Sequence, residues 1–208
     1  HHPVSARSRV IMARIRLMKQ LIAILMAMGV AAGYAQTRSV QTPWYQVEYD
    51  EALESPVTIT YQVECTETTI SRKGMDFRRV DSIHTSNAAD YRNNVWDKGH
   101  MAPAAAFACD HDALRATFLY VNCALQHESL NRGAWRQLEA WERKQAESGV
   151  PVTVRILVEW VGAQDTLATG AVVPTHFSKW VTCNGVTTGF RFPNSALGGA
   201  VFWRFEQH

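Results

Sequence analysis

Residues 97–139, which open DKGHMAPAAAF and close LYVNCALQHESLNRGAWRQLE, constrain this chain more than any other stretch. The opening has neither helical nor strand period. It sets His100 between Gly99, which permits a close backbone approach, and Pro103, which stiffens the exit. The close begins the best helix in the sequence: Leu130, Ala134, Leu138 and Trp141 recur at helical spacing through about Glu147, and Gly149 and Pro151 supply stop signals. Between them, residues 117–122 (TFLYVN) read as a short apolar strand ending on the polar Asn122. A held histidine followed by an amphipathic helix that carries Asn131 and Glu139 is the centre around which the other elements must arrange.

Those elements read as strands. Residues 44–49 are one candidate, and residues 57–65 are another, where Val57, Ile59, Tyr61, Val63 and Cys65 alternate with polar side chains at the period of a half-buried strand. Residues 36–43 read as a polar segment and residues 71–96 as a long irregular connection, a length that in a small domain usually serves function. Further strands are expected at 152–161, 180–183, 189–192 and 200–205. The pattern predicts an α+β fold, a mostly antiparallel sheet interrupted by one long helix.

The first 35 residues do not read as fold. From Met12, the residues Arg14, Arg16 and Lys19 give a basic start, residues 21–30 are apolar, and Gly33-Tyr34-Ala35 forms a small-x-small cleavage site, so residues 1–35 are expected to be a signal peptide. The apolar run falls short of the roughly 17 to 25 residues that a membrane span needs. A secreted or periplasmic protein with no membrane association after cleavage is the expectation. Residues 1–11 precede this initiator, as a tag or an over-called start. Residues 36–208 then form a single domain, long enough to bury one sizeable core.

Cleavage also changes the charge. The chain holds 21 bases and 19 acids; five bases and no acids leave with residues 1–35, so 16 bases face 19 acids. The basicity of the whole chain is therefore no argument for a polyanionic partner. What survives is unevenness: residues 36–70 carry one base and six acids, residues 71–136 nine bases and seven acids. A local positive cleft on an acidic body would steer a phosphate backbone. Four cysteines in an exported chain point to disulfides, and their irregular spacing argues against zinc. Cys109 and Cys123 lie closest to the central stretch and are expected to bridge. Nothing in the sequence fixes an oligomeric state.

An imidazole held at His100, with Asp97 three residues before it, is placed to take a proton from water near neutral pH. Asn131 and Glu139 are eight residues apart, which in a straight helix puts them about 12 Å apart on neighbouring faces. Both cannot grip one ion directly. A hard cation that keeps most of its waters could take the Asn131 amide oxygen while Glu139 holds a coordinated water. Taken in isolation, the same two residues would read as a helix cap and a solvated charge.

D-K-G-H-M-A-P-A-A, then L-Y-V-N-C-A-L-Q, then L-N-R-G-A-W-R-Q-L-E resemble the signature of the DNA/RNA non-specific endonucleases, the ββα-metal (His-Me finger) nucleases. The resemblance extends upstream through DFRRVDSIHTSNAADYR and weakly downstream through VPTHFSKWV. It implies a ββα-metal core and hydrolysis of phosphodiester bonds in DNA and RNA, with a Mg²⁺ cofactor or Mn²⁺ in its place. It makes His100 the general base, Asn131 the direct ligand of a hydrated metal, Glu139 an outer-shell residue of that ion, Asn122 a positioning residue near the histidine and Asp97 a support. It also calls for an upstream arginine at the phosphate; Arg72 is the better match and Arg78 the other. The sequence departs from the motif where Lys98 replaces an arginine and Leu125 a proline. The alternative is a catalytically inactive nucleic-acid- or protein-binding module on the same scaffold, against which the presence of His100, Asn131 and Glu139 together speaks.

Overall fold

Alternation of apolar and polar side chains builds the main sheet, seen here in a computed structural model that describes residues 37–207. The signal peptide expected at 1–35 lies outside the described residues. The strands are β1 (Thr37–Gln41), β2 (Tyr45–Asp50), β3 (Ser55–Gln62), β6 (Val152–Glu159), β7 (His176–Cys183), β8 (Val186–Pro193) and β9 (Glu206–Gln207). They pair antiparallel in the order β1-β2-β3-β6-β7-β8-β9. Tyr45, Val47 and Tyr49 of β2, Val57, Ile59 and Tyr61 of β3, and Val152, Val154, Ile156 and Val158 of β6 are all buried. Period two puts each set on one face, and register joins the sets: Ile59 stands opposite both Val47 and Ile156.

The centre of the chain forms a separate unit. Strands β4 (Trp96–His100) and β5 (Cys123–His127) pair antiparallel, with His100 opposite Cys123 and Asp97 opposite Gln126. A helix begins immediately after β5. It runs as α2 (Glu128–Leu130), a π-helical turn (Asn131–Trp135) and α3 (Arg136–Ala146), with a kink at Gly133. A short helix α1 (His111–Thr117) lies in the long β4–β5 connection, capped by the Asp110 carboxylate, which accepts from Ala113 N. Leu130, Ala134, Trp135 and Leu138 face the sheet, and Trp135 meets Phe177 and Phe192 at ring separations of 5.6 and 5.7 Å. One strand pair plus one helix on the inner face of an antiparallel sheet is the expected α+β architecture with its ββα core.

Several local expectations are corrected. Residues 117–122 are not a strand: Thr117 ends α1 and Tyr120–Asn122 is a 3-10 turn, because the Asn122 amide is bound to the backbone of Ala102 and Thr117. The pairing strand starts one residue later. Residues 200–205 are mainly a 3-10 turn, Phe202–Phe205, whose aromatic rings pack on Trp141, Phe190 and Phe192 instead of extending a ladder. The polar segment 36–43 contains β1, an edge strand with little burial.

The expected Cys109–Cys123 bridge is also corrected. Cys65 and Cys109 are bonded, with Cα atoms 5.7 Å apart, while Cys123 is a buried free thiol on β5 that contacts the Tyr91 hydroxyl. Residues 64–70 run beside the segment that follows His100: Glu64 and Cys65 N donate to Ala106 O, and Thr69 and Ile70 N to Ala108 O. A bridge closing a 44-residue separation is worth about 4 kcal/mol through the unfolded chain's lost entropy. Peptide mapping without reductant is expected to recover a Cys65–Cys109 cross-linked pair with Cys123 and Cys183 alkylated. A Cys109–Cys123 pair would overturn the assignment.

Candidate active site

Strand β4 and the segment that leaves it, residues 68–72 and the kinked helix line a cleft of about 700 Å³. His100, Asp97, Lys98, Arg72, Asn131, Arg132, Arg136, Glu139 and Arg143 line it. The histidine, the two expected metal-site residues and the first-choice arginine are thus brought together. Arg78 is not among them; it lines a different concavity. Of the two arginines open at the sequence level, the fold brings Arg72 to the histidine.

His100 reaches the cleft because Gly99 lets the strands close. A Cβ built on Gly99 would lie 2.6 Å from Gln126 Cβ, closer than real Cβ contacts come, and a tight 3.1 Å from Ala124 O. The imidazole packs between two rings, Phe77 at 4.6 Å and Phe118 edge-on at 4.8 Å. Its Nε2 is buried without a hydrogen-bond partner. Burial between these rings, with some repulsion from Arg72, pushes the His100 pKa down to about 3. The ring is therefore neutral, in the form a proton acceptor needs.

Asn122 does not line the cleft. It is fully buried, and its amide is spent on the backbone: Oδ1 accepts from Ala102 N at 2.8 Å, and Nδ2 donates to Ala102 O and Thr117 O at 2.9 and 3.0 Å. It fixes the exit from His100 and reaches no reacting group.

On the helix side, the Asp97 carboxylate accepts from Asn131 Nδ2 at 2.8 Å and takes a two-pronged contact from Arg132, Nε at 2.9 Å and Nη2 at 2.7 Å. Burial opposes the Asp97 charge, but these donors outweigh it and hold the carboxyl below its ordinary pKa. With its NH₂ turned to Asp97, Asn131 keeps its Oδ1 out of any bond with the described residues. Glu139 comes from the first turn of α3. Burial pushes its carboxyl up to about 7, against the pull of Lys179 and Arg143 and with the push of Glu142. The straight-helix estimate of neighbouring faces is modified here, since the wide turn and the Gly133 kink lie between Asn131 and Glu139 and both reach one cleft.

These residues fit a hydrated divalent cation. The donors are a free carboxamide oxygen and a partly desolvated carboxylate whose charge lacks full compensation, an all-oxygen set suited to a hard ion. Among the described residues no three His, Cys, Asp or Glu side chains converge on one point, so such an ion would keep most of its waters. Two contributors were missed in the sequence: Arg143 donates through Nη1 to Glu139 O and was signalled by the i, i+4 spacing, and Arg136 stands one turn from Arg132. Lys98, which the sequence showed in place of the motif's arginine, bonds Asp76 at 2.7 Å beside the Phe77 and Tyr120 rings.

Comparisons with known proteins agree on one family. The sequence model described as DNA/RNA non-specific endonuclease matches residues 26–206. Human mitochondrial endonuclease G is 31% identical over 163 residues, covering 71% of this chain and 54% of that protein. Nuclease C1 of Cunninghamella echinulata is 30% identical over 134 residues, covering 57% of this chain and 53% of that protein. The chain spans about half the length of these curated relatives. A crystal structure of the EndoG/EndoGI complex superposes with a TM-score of 0.69 at 23% identity, covering 82% of this chain and 80% of that one, a likeness of fold.

The depressed His100 pKa has a testable sign. Between about pH 6.5 and 3 the unfolded chain binds a proton that the folded chain refuses, so stability falls as pH falls through that window. The His100 imidazole is expected to show no NMR titration between pH 8 and 5, and His100→Gln is expected to flatten the stability loss between pH 6.5 and 4. A His100 midpoint near its ordinary 6.5 would show that the ring is not desolvated.

Proposed function

This chain belongs to the family of DNA/RNA non-specific endonucleases, and we propose from that premise that it is a metal-dependent nuclease hydrolysing phosphodiester bonds of DNA and RNA with little regard to sugar or sequence. The observation that carries the reading is the convergence of His100, Arg72, Asn131 and Glu139 on one cleft. Five cationic side chains line that cleft, Arg72, Lys98, Arg132, Arg136 and Arg143, more than the acids Asp97 and Glu139 balance. Such a groove favours a polyanion over a small neutral ligand.

In this reading a neutral His100 takes the proton of the attacking water. The ring is a weak base in the free protein, but the negative charge of an incoming phosphate favours imidazolium against the burial and screens Arg72. The Arg72 guanidinium meets the charge that grows on the phosphoryl oxygens. Asn131 Oδ1, oriented by Asp97, would hold the cation, Mg²⁺ or Mn²⁺, directly, and Glu139 would hold it through a coordinated water. When bound, that ion would neutralise phosphoryl charge and ease departure of the 3′-oxygen. The products would be a 5′-phosphate and a 3′-hydroxyl. The cations of the cleft suit phosphates, which carry no sequence information, and this accords with weak sequence preference.

We propose further that the protein works outside the reducing cytosol, as a secreted or periplasmic enzyme. The Cys65–Cys109 bridge and the basic-then-apolar character of residues 12–35 support this.

His100→Ala is expected to lower plasmid cleavage about 10²- to 10⁴-fold while the chain still folds cooperatively, with a lowered thermal midpoint from the ring lost between Phe77 and Phe118; wild-type cleavage would remove His100 from its role. EDTA is expected to abolish cleavage of both DNA and RNA. Asn131→Ala is expected to raise the Mg²⁺ concentration for half-maximal activity at least tenfold, and an unmoved titration would place the ion elsewhere.

A further inference from the structure

We propose that the concavity walled by Met75, Asp76, Arg78, His111, Arg115 and Phe118 is a second phosphate subsite, which grips a neighbouring phosphate of the strand being cut. This rests on the nuclease reading above. The concavity holds about 300 Å³ and lies one aromatic wall away from the histidine: Phe118 lines it, and the same ring packs edge-on against His100 at 4.8 Å. Phe77, which immediately precedes Arg78, fills the rest of that wall, 4.6 Å from His100 and 5.4 Å from Phe118.

Arg78 is built in. Its N–H donates to Phe118 O at 3.1 Å, its carbonyl accepts from Tyr120 N at 3.0 Å, and its Nη2 donates to Arg115 O at 3.2 Å. The Arg78 side chain is exposed, but its backbone is already fixed by these bonds, so less ordering is needed when it meets a ligand than for an arginine on an untethered loop. Arg115 comes from α1 on the opposite wall.

The charges are not balanced within the protein. Among the described residues no ion pair involves Arg78 or Arg115. The carboxylate in the pocket, Asp76, is taken by Lys98 at 2.7 Å, and Asp112 lies beside His111 at 3.9 Å. Two guanidinium groups facing one concavity repel each other, and a phosphate, which each can contact through a planar fork, removes that repulsion. A site whose walls present two guanidinium groups favours a phosphate, so it adds affinity without sequence preference.

The test uses the purified protein with two substrates, plasmid DNA and bis(p-nitrophenyl) phosphate, which has a single phosphodiester. R115Q is the first variant, because among the described residues the Arg115 side chain makes no hydrogen bond whose loss would unfold the protein; R78Q is the second. R155Q, exposed on the sheet face opposite the buried Val154 and Ile156, controls for net charge. Each subsite variant is expected to raise KM for plasmid three- to tenfold with kcat retained and to reduce the salt slope of log binding by about 0.9. The loss on bis(p-nitrophenyl) phosphate is expected to be at least threefold smaller. Variants that match R155Q, or that lose equally on both substrates, overturn the subsite. Relief of inorganic phosphate inhibition with no change in plasmid KM also overturns it, as the pocket would then serve free phosphate. A wild-type protein that cleaves neither substrate sinks the nuclease reading and the subsite together, whereas a wild-type protein that cleaves plasmid normally beside indifferent variants sinks the subsite alone.

Discussion

One carboxylate joins the two halves of the site. Asp97 leaves strand β4 and accepts from two consecutive residues of the helix, the Asn131 amide and the Arg132 guanidinium. The β4–β5 ladder brings the start of the helix beside the strand, and these bonds fix how the helix is turned toward it. The hydrogen bond to Asn131 also has a direction. It consumes the NH₂ end of the amide and leaves the carbonyl end, the only end that can hold a cation, turned away from Asp97. The Arg132 charge keeps Asp97 ionised, so that it goes on accepting across the working pH range. Fold and chemistry meet in three side chains that are each ordinary alone.

The other half of the site is fixed by a different means. Arg72 sits in an irregular stretch that has no ladder of its own, yet its approach is tied down by the Cys65–Cys109 bond and by four backbone hydrogen bonds to Ala106 and Ala108. Ala106 and Ala108 belong to the segment that leaves His100, whose start is in turn held by the buried amide of Asn122 at Ala102. His100 and Arg72 are thus referred to a common piece of backbone. In the proposed mechanism, groups held this way would stabilise developing charge without reorganising at the moment of reaction.

The helix spacing, the alternation in β3 and β6 and the three motif blocks were legible in the sequence because each is a local pattern with one physical reading. What was not legible depended on partners distant in sequence. Strand β4 shows no alternation, since Gly99 serves a close approach to Gln126 and His100 serves the cleft, so two of its five positions answer to function. Residues 117–122 have the composition of a strand, but Asn122 is claimed by Ala102 and Thr117 before a ladder can form. Cys123 is nearer to Cys109 in sequence than Cys65 is, but pairing opposite His100 in the β4–β5 ladder takes it away from Cys109. Arg78 and Arg72 could be separated only by the path of a loop, which no local pattern encodes.

The cost of one further arrangement shows what the fold spends on orientation. On the inner face of the sheet, register aligns Val47, Ile59, Ile156, Lys179 and Phe190 in one cross-strand row, and the fourth of these is a lysine with no exposed surface. Its Nζ lies 2.7 Å from Glu142 Oε1 and 4.3 Å from the Trp135 ring centre, while Tyr61 donates to Glu142 Oε2 at 2.8 Å. Burying both charges costs several kcal/mol per ion before their attraction repays it, so an apolar pair of similar size would hold the helix at least as tightly. An apolar pair, however, would also hold it nearly as well at other rotations about its axis, because dispersion contacts carry little direction. The ion pair and the tyrosine hydroxyl do carry direction. Glu139 lies one turn before Glu142, so whatever fixes the rotation at Glu142 fixes the carboxylate that faces the cleft, and the same lysine charge restrains the rise in the Glu139 pKa. The buried pair is better understood as part of the apparatus that aims Glu139 than as a contribution to stability.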